Sequence, residues 1–586
     1  MLDLKIVGAT VVDGTGSPRF EADVAVRDGR IVEIGRHVEG GASETIDAAG
    51  LLLTPGFVDI HTHYDGQATW DEVLEPSSGH GVTTIVTGNC GVGFAPVRPG
   101  TEAWLIQLME GVEDIPGTAL AEGMSWDWET FPEYLDVLEK RRFALDVGTQ
   151  IAHGAVRAYV MGERGARNEP AGPADIEAMA AIVREAVAAG AFGFSTSRTL
   201  GHRAMDGEPV PGTFAAEDEL FGLGRAIRDG GGGVFELAPA GAAGEDVVAP
   251  RKEVEWMRRL AADTGIPVSF ALLQVDADPR LWKGLMDESL AAIEQGARLV
   301  PQVASRPFGI LIGFATNHPF SDRPTFRRLA HTLPPPELAL ALTDPVHRAA
   351  ILTEEDAPDG KGGLGRSLGG ALDRIYVMGD PPDYEPTPDR SVAAIARASG
   401  QDPMAVLYDQ MCEHGGRGLL MLPFFSYSDG NHDAIREMLT HPAGVAGLGD
   451  GGAHCGVICD ASMPTYLLTH WARDRHRGPR LDLEWVVRKQ THDTAALYGF
   501  TDRGTIEVGQ RADLNLIDFD RLRLGRPEVV HDLPAGGRRL IQHAEGYRAT
   551  VVNGVMTRRD GADTGARPGR LVRRGGGVGG VGGGGG

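Results

Sequence analysis

Apolar runs that read as buried strands alternate with helical stretches along the middle of this chain, and no other feature limits the fold as much. The runs include LLLTPGFVDIHTH, VTTIVTGNC, FALDVGTQIAHG, AGAFGFSTS, GGVFELAP, IPVSFALLQ, RLVPQVASRP and GVAGLGDGG. Stretches such as PADIEAMAAIVREAVAAG and EVEWMRRLAADTG, which read as helices, stand between several of them. A strand that is apolar on both faces must be covered on both, and a parallel sheet with crossover helices does this. About eight such units in roughly 440 residues fit an α/β fold of the (β/α)8 TIM-barrel type with insertions. A doubly wound open sheet is the alternative. We place the barrel at residues 57–499, with an insertion near 334–388, where Pro, Gly and Asp are frequent.

The two ends of the chain resemble each other. Near the start stand LKIVGATVVDG and ADVAVRDGRIVEIG, the second broken by Asp28-Gly29, a favoured two-residue hairpin turn. Near the end stand GTIEVGQRADLNLIDFD and YRATVVNGVMT, with Asn553-Gly554 as the matching signal. Residues 1–56 and 500–560 are therefore expected to build one small, sandwich-like β domain from both termini. Two unrelated hairpins are the alternative. Residues 561–586 read as a flexible tail, because Gly575–Gly586 is nearly pure glycine and cannot bury a core.

The net charge of −25 disfavours phosphate backbones and anionic lipid surfaces, so neither nucleic acid nor membrane is expected as a partner. Four cysteines in 586 residues make no disulfide framework and suit a reducing compartment. The N-terminal sequence lacks a basic segment followed by an apolar one, and no apolar run approaches the roughly 20 residues that cross a bilayer. A cytoplasmic protein acting on a small molecule is the expectation; a homo-oligomer is compatible with it.

His61-Thr62-His63 closes the apolar run PGFVDI. Residues i and i+2 of a strand share a face, so two imidazoles project together from its C-terminal end, where barrel enzymes keep their active sites. Two aligned neutral imidazoles supply half of a tetrahedral zinc site. Cys90 ends VTTIVTGNC, as a thiolate ligand or as a small buried hydrophobe. Asp450 ends AGVAGLGDGG between glycines, as a ligand and proton acceptor or as an Asx turn. His454 and Cys455 lie close by, lining a pocket or stabilising a loop. Gly230–Gly233 precedes a strand rather than joining strand to helix, so no phosphate-cradling loop is read there.

These segments, with TGNCGVGFAPVRP at 87–99, LMEGVEDIP at 108–116, AHGAVR at 152–157, GFSTS at 193–197 and DRGTIEVGQRADLNLIDFD, resemble the N-acyl-D-amino-acid deacylases (D-aminoacylases) of the amidohydrolase superfamily. The resemblance implies a barrel with a β domain from both ends, and one or two zinc ions. By position it implies that His61, His63, Cys90 and Asp450 are metal ligands and that Asp450 is also the general acid/base. It further implies two histidines after the fifth and sixth strands. The runs at 266–274 and 298–307 offer Gln274 and Gln302 instead, and His153 is the further imidazole that could join the set or the pocket, unless it is a hydrogen-bonded core histidine.

The expected chemistry is hydrolysis of a C–N amide bond, of an N-acyl-D-amino acid, by metal-activated water. Arg306 and Arg198, each just past a strand-like run, are candidates to grip a substrate carboxylate or to form structural salt bridges. The alternatives are an amidohydrolase acting on a cyclic amide, urea or aryl amide, and a degenerate barrel that binds a small molecule without turnover.

Overall fold

A computed structural model describes residues 1–358 and 363–575. Eight parallel strands form the barrel: β1 (Phe57–Asp59), β2 (Val82–Thr87), β3 (Asp146–Thr149, continued by Ile151–Ala152), β4 (Gly193–Ser197), β5 (Val234–Ala238), β6 (Val268–Ala271), β7 (Leu299–Val303) and β8 (Val445–Ala446). Each pairs in parallel with the next. The ring closes beyond the strands proper, where Thr62 bridges Gly451 in parallel. Closure excludes the open doubly wound sheet. β2, β4 and β5 are buried along their whole length, their polar residues included, as strands covered on both faces are.

Strands from both ends of the chain enter one nine-stranded sheet. Leu52–Pro55 pairs antiparallel with Leu514–Ile517, and Tyr547–Val552 continues outward from it. Both turn signals are hairpin tips with positive φ, at Asp28 and Gly29 and at Asn553 and Gly554. The tips meet through Ala512, which donates to Gly29 O and accepts from Gly554 N.

Three sequence-based boundaries move. The insertion between β7 and β8 runs from 304 to 444. It carries its own antiparallel sheet (Gly309–Ile312, Leu420–Pro423, Tyr376–Val377) and its own apolar core, including Phe314, Phe320, Leu407 and Tyr408. Its helices are amphipathic like those of the barrel, so composition marked only its middle. Residues 561–575 are docked rather than free: Gly569 and Leu571 bridge Phe143 and Val147, and Arg573 pairs with Asp136 and Glu139. The rest of the glycine tail, 576–586, lies outside the described residues. Finally, the hairpin Glu528–Leu533/Gly537–Ile541 leaves the terminal sheet, and Leu540 N donates to Cys455 O on the loop after β8.

Candidate metal centre

Beyond β1 the chain stays extended for one more turn of the barrel mouth. His61 O accepts from Asp450 N and His63 N donates to Gly451 O, so the histidine pair and the Asp450 loop are fixed to each other by backbone. Both imidazoles are buried, with ring centroids 5.4 Å apart. Beyond β2, Asn89 Nδ2 donates to Thr62 O and Val86 O, and Gln150 Nε2 donates to Asn89 Oδ1, which seats Cys90 beside the pair. Cys90 (φ 55°), Asp450 (φ 45°) and His454 (φ 53°) all adopt left-handed backbone, a conformation that costs non-glycine residues about 1–3 kcal/mol each. Gly91 is required next to Cys90. A Cβ there would lie 2.7 Å from Ser197 N on the neighbouring strand end.

The donor atoms of His61, His63 and Cys90 lie within 4.8 Å of one another. His61 Nε2 is 3.4 Å from Cys90 Sγ and 3.4 Å from Asp450 Oδ1; His63 Nε2 is 3.8 Å from the same oxygen. Tetrahedral bonds of about 2.0–2.3 Å put ligand atoms roughly 3.3–3.8 Å apart, so these spacings suit a zinc-sized ion. The tautomer fits as well. Gln302 Oε1 can only accept, so His61 Nδ1 donates to it over 3.0 Å and Nε2 keeps its lone pair toward Cys90 and Asp450. Orphaned polar atoms crowd the same place: His63 Nδ1, Glu113 Oε1, Glu236 Oε1, Asp59 Oδ2 and Asp65 Oδ2 are buried without hydrogen-bond partners. Two imidazoles, a thiol and a carboxylate fit a borderline-soft divalent cation.

Electrostatics sort the groups. Burial pulls His61 down to about 4. Burial opposes charge on His63 too, but the carboxylates of Glu113 and Asp450 outweigh it and lift this imidazole to about 9. Asp450 is buried, yet the nearby imidazoles of His63 and His61 hold it below the usual carboxylate range. Burial, then Glu236 and Glu113, push the Cys90 thiol well up. A bound cation would reverse that last effect and displace the His63 and Cys90 protons.

Of four further residues at the centre, Glu113 and Glu236 carried no signal of their own in the sequence, whereas His454 was read as lining a pocket or stabilising a loop. Glu113 is the last residue of helix α1 (Glu102–Glu113), 3.4 Å from His63 Nδ1 and 3.7 Å from His454 Nε2. A helix C-terminus disfavours a carboxylate, so partners rather than the helix explain its place. The LMEGVEDIP segment contains it, but nothing in its spacing separates Glu113 from Glu110. Glu236 points inward from β5; its Oε2 accepts from Cys90 N at 3.0 Å and Oε1 lies 3.8 Å from His61 Nδ1, and burial lifts it to about 8. Gln302 was noted only as standing where a histidine was expected. His454 Nε2 reaches within 4.0 Å of Asp450 Oδ2.

The other expected residues lie elsewhere. The strand count behind the missing histidines shifts by one: residues 266–274 and 298–307 hold β6 and β7, and the fifth strand is 234–238. The sequence has no histidine between His202 and His318, so the conclusion stands for all three strands. Gln274 is turned away into a loop, where its amide bonds Asp429 and Ser428 N. His153 uses both ring nitrogens, on Thr196 Oγ1 (2.8 Å) and Glu219 Oε1 (2.9 Å), and so reads as the hydrogen-bonded core histidine. Arg198 pairs with Glu253 at 2.8 Å and Ala215 O at 2.9 Å, a structural salt bridge. Arg306 is fully buried, stacked 3.8 Å from the Tyr384 ring centroid, with Nη2 on Cys459 O and, at 3.1 Å, on Asp460. Its Nε and Nη1 have no partner.

A model described as "Amidohydrolase family" matches residues 44–558. The chain is 27% identical to a D-aminoacylase of Alcaligenes xylosoxydans xylosoxydans, covering 98% of each. It is 28% identical to an N-acyl-D-aspartate deacylase of the same organism, over 97% of this chain and 95% of that one. Among solved structures, an N-acyl-D-glutamate deacylase from Bordetella bronchiseptica, complexed with zinc and a phosphonate mimic of the tetrahedral intermediate, superposes with a TM-score of 0.62 at 24% identity, over 98% of this chain and 99% of that one. That likeness is one of fold.

Proposed function

Because the chain belongs to the amidohydrolase family, we propose that it is a metal-dependent hydrolase of amide bonds whose substrate is an N-acyl-D-amino acid. The observation that carries this reading is the convergence of His61, His63 and Cys90, with Asp450 3.4 Å and 3.8 Å from the two imidazoles, from three strand ends. The names D-aminoacylase and N-acyl-D-aspartate deacylase, borne by two relatives matched over nearly their whole length, support the substrate class. Those four residues would hold zinc, which supplies a water of lowered pKa, near 7, and polarises the carbonyl.

The protein's own groups do the rest. Asp450, held ionised at neutral pH, accepts the proton of the attacking water and returns it to the departing nitrogen. His454, half-buried and within 4.0 Å of Asp450, is placed to donate to the developing oxyanion. Gln302 orients the His61 imidazole from behind through a hydrogen bond, and the Glu113 carboxylate faces His63 Nδ1 at 3.4 Å. Arg306, with two buried unpartnered nitrogens, Nε and Nη1, is the cation offered to a substrate carboxylate.

Arg306 also favours a second reading. Its charge is already met by Asp460 at 3.1 Å, which suits a substrate without a free carboxylate, such as a cyclic amide or urea. Turnover of N-acyl-D-, N-acyl-L- and cyclic amides by zinc-loaded protein decides between them: hydrolysis of the D-series alone supports the proposal, and hydrolysis of the cyclic amides alone overturns it. Among the described residues no helix is long and apolar enough to cross a membrane. The four unpaired cysteines support a reducing, cytoplasmic setting.

A further inference from the structure

A second cluster of metal-binding side chains lies apart from the centre, where the insertion meets the segment after β8. Glu385, His432 and His470 bring one ligand atom each to within 4.8 Å of one another. His432 is fully buried and Glu385 nearly so. His432 Nε2 lies 2.8 Å from Tyr384 O, an acceptor only, so that nitrogen carries the proton and Nδ1 keeps its lone pair. This is the backbone-carbonyl anchoring found behind metal-bound histidines. Nδ1 faces Glu385 Oε2 at 3.9 Å.

The carboxylate itself has one place left. Oε1 accepts from His432 N (2.8 Å) and Arg475 Nη2 (3.0 Å). Oε2 accepts from Arg475 Nε (3.2 Å), which leaves one lone pair, and His470 Nε2 lies 3.1 Å away. That approach is too poorly aimed to be a hydrogen bond, and His470 Nε2 is a buried atom without a partner. Arg475, bound to both carboxylate oxygens, also pairs with Asp433 at 2.8 Å.

The backbone agrees. His470 sits on a π-helix, Leu467–Asp474, a rare form that concentrates at functional sites. Tyr466, just before it, stacks on the His470 ring with centroids 4.6 Å apart, and its hydroxyl donates to His432 Nδ1 at 3.3 Å, a bond that an ion at Nδ1 would replace. We infer that Glu385, His432 and His470 bind a divalent cation of the zinc class, separate from the Cys90 centre, through Glu385 Oε2, His432 Nδ1 and His470 Nε2. Two imidazoles and one carboxylate are a ligand set that zinc accepts. Such an ion would clamp the insertion to the π-helix, and with it Tyr384 and Tyr466, the two rings that face Arg306.

Metal content of the full chain, purified without chelator, tests this together with the optical spectrum after loading with cobalt. The expected result is about two ions per chain in wild type and about one in the His61→Ala/His63→Ala variant. The ion left in that variant should give no sulfur-to-cobalt charge-transfer band, because the second site has no thiolate. His470→Ala should lose about one ion and keep the charge-transfer band of the Cys90 centre. Glu385→Gln, which retains a carbonyl oxygen and the hydrogen bond from His432 N, gives the same test should the alanine variant fold poorly. The inference is overturned if the His61/His63 variant binds no metal, or if folded His470→Ala and Glu385→Gln proteins hold as much metal as wild type. Failure of the Cys90 centre alone would show differently, as loss of the charge-transfer band in wild type.

Discussion

The mouth of the barrel has two unlike sides. β1, β2 and β8 end in His61, His63, Cys90 and Asp450, while β5, β6 and β7 contribute Glu236, Ser269 and Gln302 and no histidine. On the first side the donor atoms of His61, His63 and Cys90 face one another, with Asp450 beside the two imidazoles. On the second each group aims at a neighbour: Glu236 at Cys90 N, and Gln302 at His61 Nδ1 and, through its amide, at Ser269 Oγ. On the proposed reading the first side would hold the ion and the second the ligands, without any histidine from β5–β7.

Breaking the first side should have the largest effect. Asp450→Asn should lower kcat about 10²–10⁴-fold at saturating substrate, with metal still bound, as loss of a general base does. A kcat within tenfold of wild type would remove Asp450 from its role. Arg306→Met should cost about 3–5 kcal/mol in denaturant unfolding, because Asp460 is left buried and unpaired. It should also raise KM for substrates bearing a carboxylate and leave KM for neutral amides nearly unchanged, which measures both readings of the pocket at once.

The supporting side should cost less. Glu113→Gln and Gln302→Ala should each weaken zinc affinity about 10–100-fold, read by competition with a chromophoric chelator. Unchanged affinity in both would mean that the imidazoles need no orienting partner. Glu236→Gln keeps an acceptor for Cys90 N and should change affinity less than either.

The smallest effect is on pH. In metal-free protein the two histidines have opposite signs. His61, depressed to about 4, binds fewer protons folded than unfolded, so its contribution falls as pH drops from 6.5 toward 4. His63, raised to about 9, contributes stability that is complete below 6.5 and is lost as pH rises through 9. The Tm difference between wild type and His63→Ala should therefore shrink from pH 6.5 to 9. A constant difference would contradict the His63–Glu113–Asp450 pairing.

Fold and ligands were legible in unequal measure. Strand ends pointed to His61, His63, Cys90 and Asp450, and the structure brings these four side chains together. The hairpin tips at Asp28-Gly29 and Asn553-Gly554 were legible because a tight turn demands positive φ. Glu113 and Glu236 were not: their role comes from residues far away in the chain, and locally one ends an amphipathic helix and the other interrupts an apolar strand. Arg198 and His153 show the converse. Both follow or end strand-like runs, as ligands do, but Glu253 and Glu219 come from other elements and satisfy them. The insertion was read too short because its helices carry the same periodicity as barrel helices.

The most direct test of the central claim is a zinc titration of chelator-stripped protein, with N-acyl-D-amino-acid hydrolysis and bound metal measured on the same samples. Activity should be absent at the start, rise with occupancy of the Cys90 centre, and fail to appear in His61→Ala/His63→Ala at any zinc concentration. Hydrolysis by the stripped protein, or restoration of the double variant by zinc, would contradict a metal-dependent reaction at these residues.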